Sequence, residues 1–157
     1  MDGERREPMV VRPGEGTVWH VLGETITRKV ASGETGGAYA IVEEVTPPQG
    51  GPPLHSHQHE DEVFYVLEGQ IEVQCGDQRF MAPSGTVTML PKNIPHTFRN
   101  CGPEPSRVLV LILPGGFEHF FAGVASIVTA GDLAMDAVMQ LAEQHGLTIV
   151  GPPLTQH

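Results

Sequence analysis

Basic residues are scarce in this chain: 9 lysines and arginines stand against 19 acids in 157 residues, a formal net charge of −10. That balance excludes nucleic acid as a partner, because a phosphate backbone needs cationic side chains, and it disfavours an anionic membrane surface. Cysteine is nearly missing. Cys75 and Cys101 alone make neither a disulfide framework nor a zinc-type pair. Neither has a basic neighbour that would activate it, so both read as small buried or half-buried residues. No apolar run approaches the roughly 20 residues of a membrane span. The start, MDGERREPMVV, is charged and lacks the apolar stretch of a secretory signal. The expectation is a cytoplasmic protein with reduced thiols.

Glycine and proline, by contrast, are plentiful, at 19 and 14. Such punctuation suits many short strands joined by turns. Residues 1–16 read as a polar arm. From Thr17, runs such as TVWHVLGETITRKVA, AYAIVEEV, EVFYVLEG, QIEVQC, QRFMA, TVTML and HTFRN carry β-branched and aromatic residues with alternation. Gly76-Asp77 marks a tight hairpin. SRVLVLIL, Ser106 to Leu113, is apolar on both faces and predicts a strand buried between two layers or at an interface. The last third changes character. GGFEHFFAGVA sets Phe117, Phe120, Phe121 and Val124 at helical spacing. In GDLAMDAVMQLAEQHG, Leu133, Val138, Leu141 and Ala142 share a side, with Asp132 a cap at the start and Gly146 at the end. LTIVGPPL closes the chain. The class is all-β, a small antiparallel barrel or jelly roll with one or two C-terminal helices; 17–125 is the barrel and 126–157 the helical extension.

Against that background PPLHSHQHEDEVFYVLEG, Pro52 to Gly69, stands out, with three of the eight histidines in five residues. On a strand, His55 and His57 point the same way. Glu62, five residues past His57, falls on the opposite face unless the chain bends within QHED. His96 follows a proline-rich bend and opens a later strand. Three imidazoles and one carboxylate would hold a divalent transition metal (Fe, Mn, Ni, Cu or Zn) and leave positions open for a ligand. His59 reads as water-facing, or as a group that steers a ligand through a hydrogen bond from outside the metal's own shell. Glu60 and Asp61 read as solvated acids. Phe64, Val66, Ile71, Val73, Met89 and Phe98 are core or pocket lining, and Phe98 shares the face of His96. Phe120 belongs to a segment that is either a lid or packing on the outer sheet. His20, His119, His145 and His157 read as surface residues.

The spacing H55-S-H57-QHED-E62-VFYVLE-G69, followed by G85-TVTML-P91-K-N93-IP-H96-TFR-N100, resembles the two motifs of the cupins. Residues 17–125 are similar to single-domain cupins of the quercetin 2,3-dioxygenase type. Gln49 stands where the first motif begins with glycine, and Asn93 replaces the glycine inside the second. The resemblance implies a jelly-roll barrel, a homodimer, and one divalent transition metal on His55, His57, Glu62 and His96. It also implies a dioxygenase acting on a flavonol or related aromatic enol, with Glu62 as ligand and catalytic base; Phe64, Val66, Phe98 and Phe120 are the candidates for its substrate pocket. Two alternatives remain open: an oxygen-independent isomerase, lyase or cyclase using the same metal, and a non-catalytic small-molecule-binding module.

Overall fold

The computed structural model describes residues 7–130 and 135–155. The strands are β1 (Thr17–Val21), β2 (Glu24–Val30), β3 (Ala40–Thr46), β4 (Pro53–His57), β5 (Asp61–Glu68), β6 (Gln70–Cys75), β7 (Gln78–Pro83), β8 (Val87–Leu90), β9 (His96–Asn100), β10 (Ser106–Leu113) and β11 (Leu147–Pro153). Helices α1 (Glu118–Thr129) and α2 (Met135–Gln144) lie between β10 and β11. Two antiparallel sheets form a jelly roll. One has the order β1-β2-β3-β10-β5-β8, the other β11-β4-β9-β6-β7.

Alternation decides which residues fill the space between the sheets. In β3, Ala40, Val42, Glu44 and Thr46 are buried while the residues between them are half-exposed. In β10, Ser106, Val108, Val110 and Ile112 face inward, and Arg107, Leu109, Leu111 and Leu113 form a half-exposed outer row. Of the two expectations for β10, burial between two layers is corrected, because its second face is only partly shielded within one chain. Ile26, Phe64, Val66, Ile71, Val73, Leu90 and Phe98 complete the core. Each such side chain contributes about 1.5–3 kcal/mol through its removal from water.

Both departures from the glycine pattern keep the backbone that glycine would supply. Gln49 has φ of 68° and Asn93 φ of 64°, a left-handed geometry that costs a non-glycine residue some strain. Gln49 is held by its side chain, whose Oε1 accepts from the Arg99 guanidinium at 2.7 Å. Gly51 is needed for another reason. A Cβ there would sit 1.9 Å from the Phe98 carbonyl oxygen, so only glycine lets the approach to β4 pass β9.

The helices close one side of the sandwich. α1 packs on β1, α2 on β11, and the two pack on each other, so together they bridge the edge strands of the two sheets. Phe120 and Val124 of α1 and Val138 and Ala142 of α2 are the buried rows. Gly146, with φ of 70°, ends α2 as expected. Asp132, Leu133 and His157 lie outside the described residues. β11 is the element that the sequence reading left unassigned; it pairs with β4, Leu147 opposite His57 and Ile149 opposite His55.

Candidate metal centre and its cavity

The four ligand candidates come from three strands of two sheets. β4 ends at His57, residues 58–60 leave the ladder, and β5 starts at Asp61, so the required bend falls between His57 and Glu62. Two main-chain bonds fix it: Gln58 N–H donates to Gly146 O at 2.9 Å, and Asn93 N–H donates to His57 O at 2.8 Å. His55 pairs directly with His96 on β9. Glu62 lies across from Leu90 on one side and Ile112 on the other.

One ligand atom from each of His55, His57, Glu62 and His96 lies within 4.8 Å of the others. Imidazole centroids are 5.0 Å apart for His55 and His57, 4.6 Å for His55 and His96, and 5.4 Å for His57 and His96. His55 Nδ1 lies 2.7 Å from the Pro53 carbonyl. A carbonyl can only accept, so Nδ1 carries the proton and the Nε2 lone pair is left for the cluster. His57 Nε2 bonds to a Glu62 oxygen, and His96 Nε2 lies 3.8 Å from the same oxygen.

The electrostatics suit a cation. Burial lowers the His55 pKa to about 3, and the neighbouring imidazoles of His96 and His57 add to the effect. Burial likewise lowers His96, with Glu62 opposing. His57 is raised: burial works against its charge, but the Glu62 carboxylate outweighs it. Burial pushes Glu62 upward, yet His57 first, then His96 and His55, hold it down at about 2. The result is an ionised carboxylate beside imidazoles that stay neutral or share one proton. The donor set fits a divalent transition metal, since neutral nitrogen and anionic oxygen are what such an ion binds. His96 Nε2 is buried and has no hydrogen-bond partner among the described residues, a gap that a metal would fill.

The cluster opens on a cavity of about 250 Å³. Phe64, Phe98 and Phe120 line it, as do Phe117, Phe121 and residues of α2 and β11. Phe117, which the sequence reading did not single out for the site, stands edge-on to His57 at 4.4 Å and stacks on Phe120 at 5.2 Å. Val66 does not line the cavity; it is 1% exposed within the core, beside Ile71 and Val73. Met89 points outward at 69% exposure. Phe120 is at once cavity wall and buried packing, on a helix that packs against the edge strand β1.

Around the ligands, Asp61 is exposed as expected and Glu60 is not. His59 is exposed and lies against Gly146. Asp61 accepts the Lys92 N–H at 2.8 Å, which ties β5 to the bend before His96. Glu60, expected in solvent, is buried at 6% exposure, and its Oε1 lies 3.9 Å from His57 Nδ1. Burial raises its pKa, and the His57 and His59 imidazoles pull it back.

A second pair of acids was missed. Glu24 and Glu44 line the same cavity. Glu24 Oε1 accepts from the Thr46 hydroxyl at 3.2 Å. Burial raises both carboxyls; for Glu44 the charge of Glu24 adds to burial, and its value ends well above the usual range. The signal was in the sequence, because strict alternation from Ala40 and Val42 puts Glu44 on the inner face.

Comparison with known proteins agrees with this architecture. Residues 42–112 match the model of the cupin domain. A 115-residue stretch, 73% of this chain, is 30% identical to quercetin 2,3-dioxygenase of Bacillus subtilis and spans only 34% of that protein's length. Among solved structures, KdgF from a Halomonas species superposes with a TM-score of 0.64 at 18% identity, covering 72% of this chain and 99% of that one. The polyketide cyclase RemF of Streptomyces resistomycificus gives 0.59 at 21% identity, covering 68% and 80%. At those identities the two structures speak for the fold alone.

Proposed function

From the premise that this chain carries a cupin domain, we propose that it is a metal-dependent enzyme for a flat, largely apolar enol or phenol, in the manner of a flavonol dioxygenase. One observation carries the reading: three imidazoles and an ionised carboxylate converge in one cluster, and three of its members, His55, His57 and Glu62, line an aromatic-rich cavity. A divalent metal held by His55, His57, Glu62 and His96 would supply Lewis acidity that favours the ionised form of a bound hydroxyl. The rest falls to the chain. Phe64, Phe98, Phe117 and Phe120 would grip a planar ring and exclude water. Glu62, ionised at neutral pH, is the proton acceptor nearest to a hydroxyl at the cluster, although a carboxyl held at about 2 is a weak base.

The test is oxygen uptake by metal-reconstituted protein across a panel of flavonols and enediols. Uptake that depends on His96 and Glu62 is expected, and none with any compound would sink the dioxygenase reading. A second reading has its own support. Glu24 and Glu44 face the cavity with carboxyls that burial pushes toward the neutral form, which suits an oxygen-independent isomerase or cyclase that moves protons. Turnover that persists without oxygen and fails in Glu44→Gln would favour it.

A homodimer belongs to the same proposal. Leu111, Val63 and Met89 form one outward cross-strand row, and Leu109, Tyr65 and Val87 the next. Tyr65, Val87 and Met89 are 39%, 62% and 69% exposed. An apolar face of this kind supports pairing with a second copy. Dimer mass by light scattering, reduced to monomer in Met89→Lys, is the expected outcome.

A further inference from the structure

We propose that Glu60 is a positioning residue for the metal centre: its carboxylate takes a hydrogen bond from His57 Nδ1–H and so keeps Nε2 of that ring turned toward the ligand cluster. The inference rests on the metal-binding reading above and adds what orients the second histidine.

Glu60 Oε1 and His57 Nδ1 are both buried, and neither has a hydrogen-bond partner among the described residues. They lie 3.9 Å apart. A hydrogen bond needs about 2.7–3.2 Å, a gap of roughly 1 Å that a small rotation of the glutamate side chain closes. Buried polar groups are rarely left unpaired, so two such atoms side by side point to each other as partners.

The remaining sides of His57 are already held. Its carbonyl accepts Asn93 N–H at 2.8 Å. The Phe117 ring stands perpendicular to it at 4.4 Å. Glu62 contacts Nε2 as well, but that nitrogen is the one a metal would take; the other contacts do not fix a half-turn of the imidazole about its Cβ–Cγ bond, which exchanges Nδ1 with Cδ2 and Nε2 with Cε1. A carboxylate on the Nδ1 side breaks that symmetry, because the turned ring would set a C–H against it and point Cε1 into the cluster. His55 meets the same problem with a main-chain acceptor, the Pro53 carbonyl at 2.7 Å. For His57 the neighbouring alternatives are engaged elsewhere. Asp61 accepts the Lys92 N–H, and His59 lies exposed against Gly146. An anionic acceptor also raises the basicity of the coordinating nitrogen, so its loss is felt as metal affinity.

The test uses the whole chain with Co²⁺ as probe, its dissociation constant measured by competition with a chromophoric chelator, beside the melting temperature of the metal-free protein. Glu60→Leu is expected to weaken Co²⁺ binding by about 10–100-fold, the usual cost of losing such an outer partner. Glu60→Gln keeps an oxygen that can accept the bond, so it should fall between wild type and Glu60→Leu. A purely structural role would instead make affinity follow melting temperature and would not give that order. If Glu60→Leu does not fold, Glu60→Gln decides: weakening beyond about twofold supports the role. Affinities within twofold of wild type in every folded variant overturn it. Wild-type protein that binds no Co²⁺ overturns the metal reading and this inference together, whereas binding that is indifferent to residue 60 overturns this inference alone.

Discussion

One cavity holds the same side chain in two opposite states. Glu62 is buried among three imidazoles, and Glu44 is buried beside another glutamate. Burial pushes both carboxyls toward the neutral form. At Glu62 the charge of His57, supported by His96 and His55, overrules burial and holds the pKa at about 2. At Glu44 the nearest charge is Glu24, which reinforces burial. Low dielectric alone therefore does not decide protonation; the partner does. A site whose carboxyls are pushed apart in this way sets an ionised carboxylate at one place and a carboxyl driven toward its neutral form at another.

The contrast breaks most strongly at its ionised end. Glu62→Gln should lower metal affinity by more than the roughly 10–100-fold typical of an outer partner, read by metal content and calorimetry. It should also change the stability of the metal-free protein with pH. A carboxyl lowered from 4.5 to about 2 stabilises the fold above pH 4.5 and loses that contribution as pH falls toward 2. Its removal should cost on the order of 3 kcal/mol at pH 7, at about 1.4 kcal/mol per unit. Urea titrations at pH 3 and pH 7 measure it.

Phe120→Ala asks whether the ligand end depends on the aromatic wall. Phe120 is 7% exposed and stacked on Phe117, so truncation should cost about 3–5 kcal/mol. Metal content per folded molecule should stay at the wild-type level, because it is Phe117 that stands edge-on to the ligand His57. A large fall in metal content would make the wall part of the centre.

At the protonated end the sign reverses. The raised carboxyl of Glu44 contributes fully below pH 4.5, and that contribution is lost as pH rises through its folded-state value. Glu44→Gln mimics the neutral form, so it should flatten this decline and leave the protein more stable than wild type at pH 8. Melting temperatures at pH 5 and pH 8 decide it, and a Glu44→Gln protein that loses stability at pH 8 would remove the contrast. The smallest effect is expected at His59→Ala. Exposed and outside the cluster, His59 should leave metal affinity within about twofold of wild type, well below the cost of losing an outer partner.

Local pattern explains what the sequence made visible. It drew β6, β9 and β10 at their observed limits, through β-branched and aromatic alternation in the first two and a continuous apolar run in the third. The spacing from His55 through Glu62 to His96 named the cluster because it resembles the two cupin motifs. Contacts between distant segments were hidden. Nothing near LTIVGPPL says that its partner is the strand of His55 and His57. Glu60 looked solvated because its burial depends on where the chain turns after β4, and that turn leans on Gly146. Glu24 meets Glu44 only through the β2–β3 ladder. Gln49 shows the converse: the residue type departs from glycine, yet the backbone conformation survives.

The pairing of β11 with β4 also bears on how the molecule is made. During synthesis the histidine strand leaves the ribosome about ninety residues before the segment that will flank it. Until then β4 has β9 on one side and a row of free main-chain donors and acceptors on the other, the kind of open edge that recruits strands from other chains. Premature termination anywhere before residue 147 would leave that edge bare. Nascent or truncated molecules are thus the aggregation-prone population, and closure by the last strand completes the sheet that carries His55, His57 and His96.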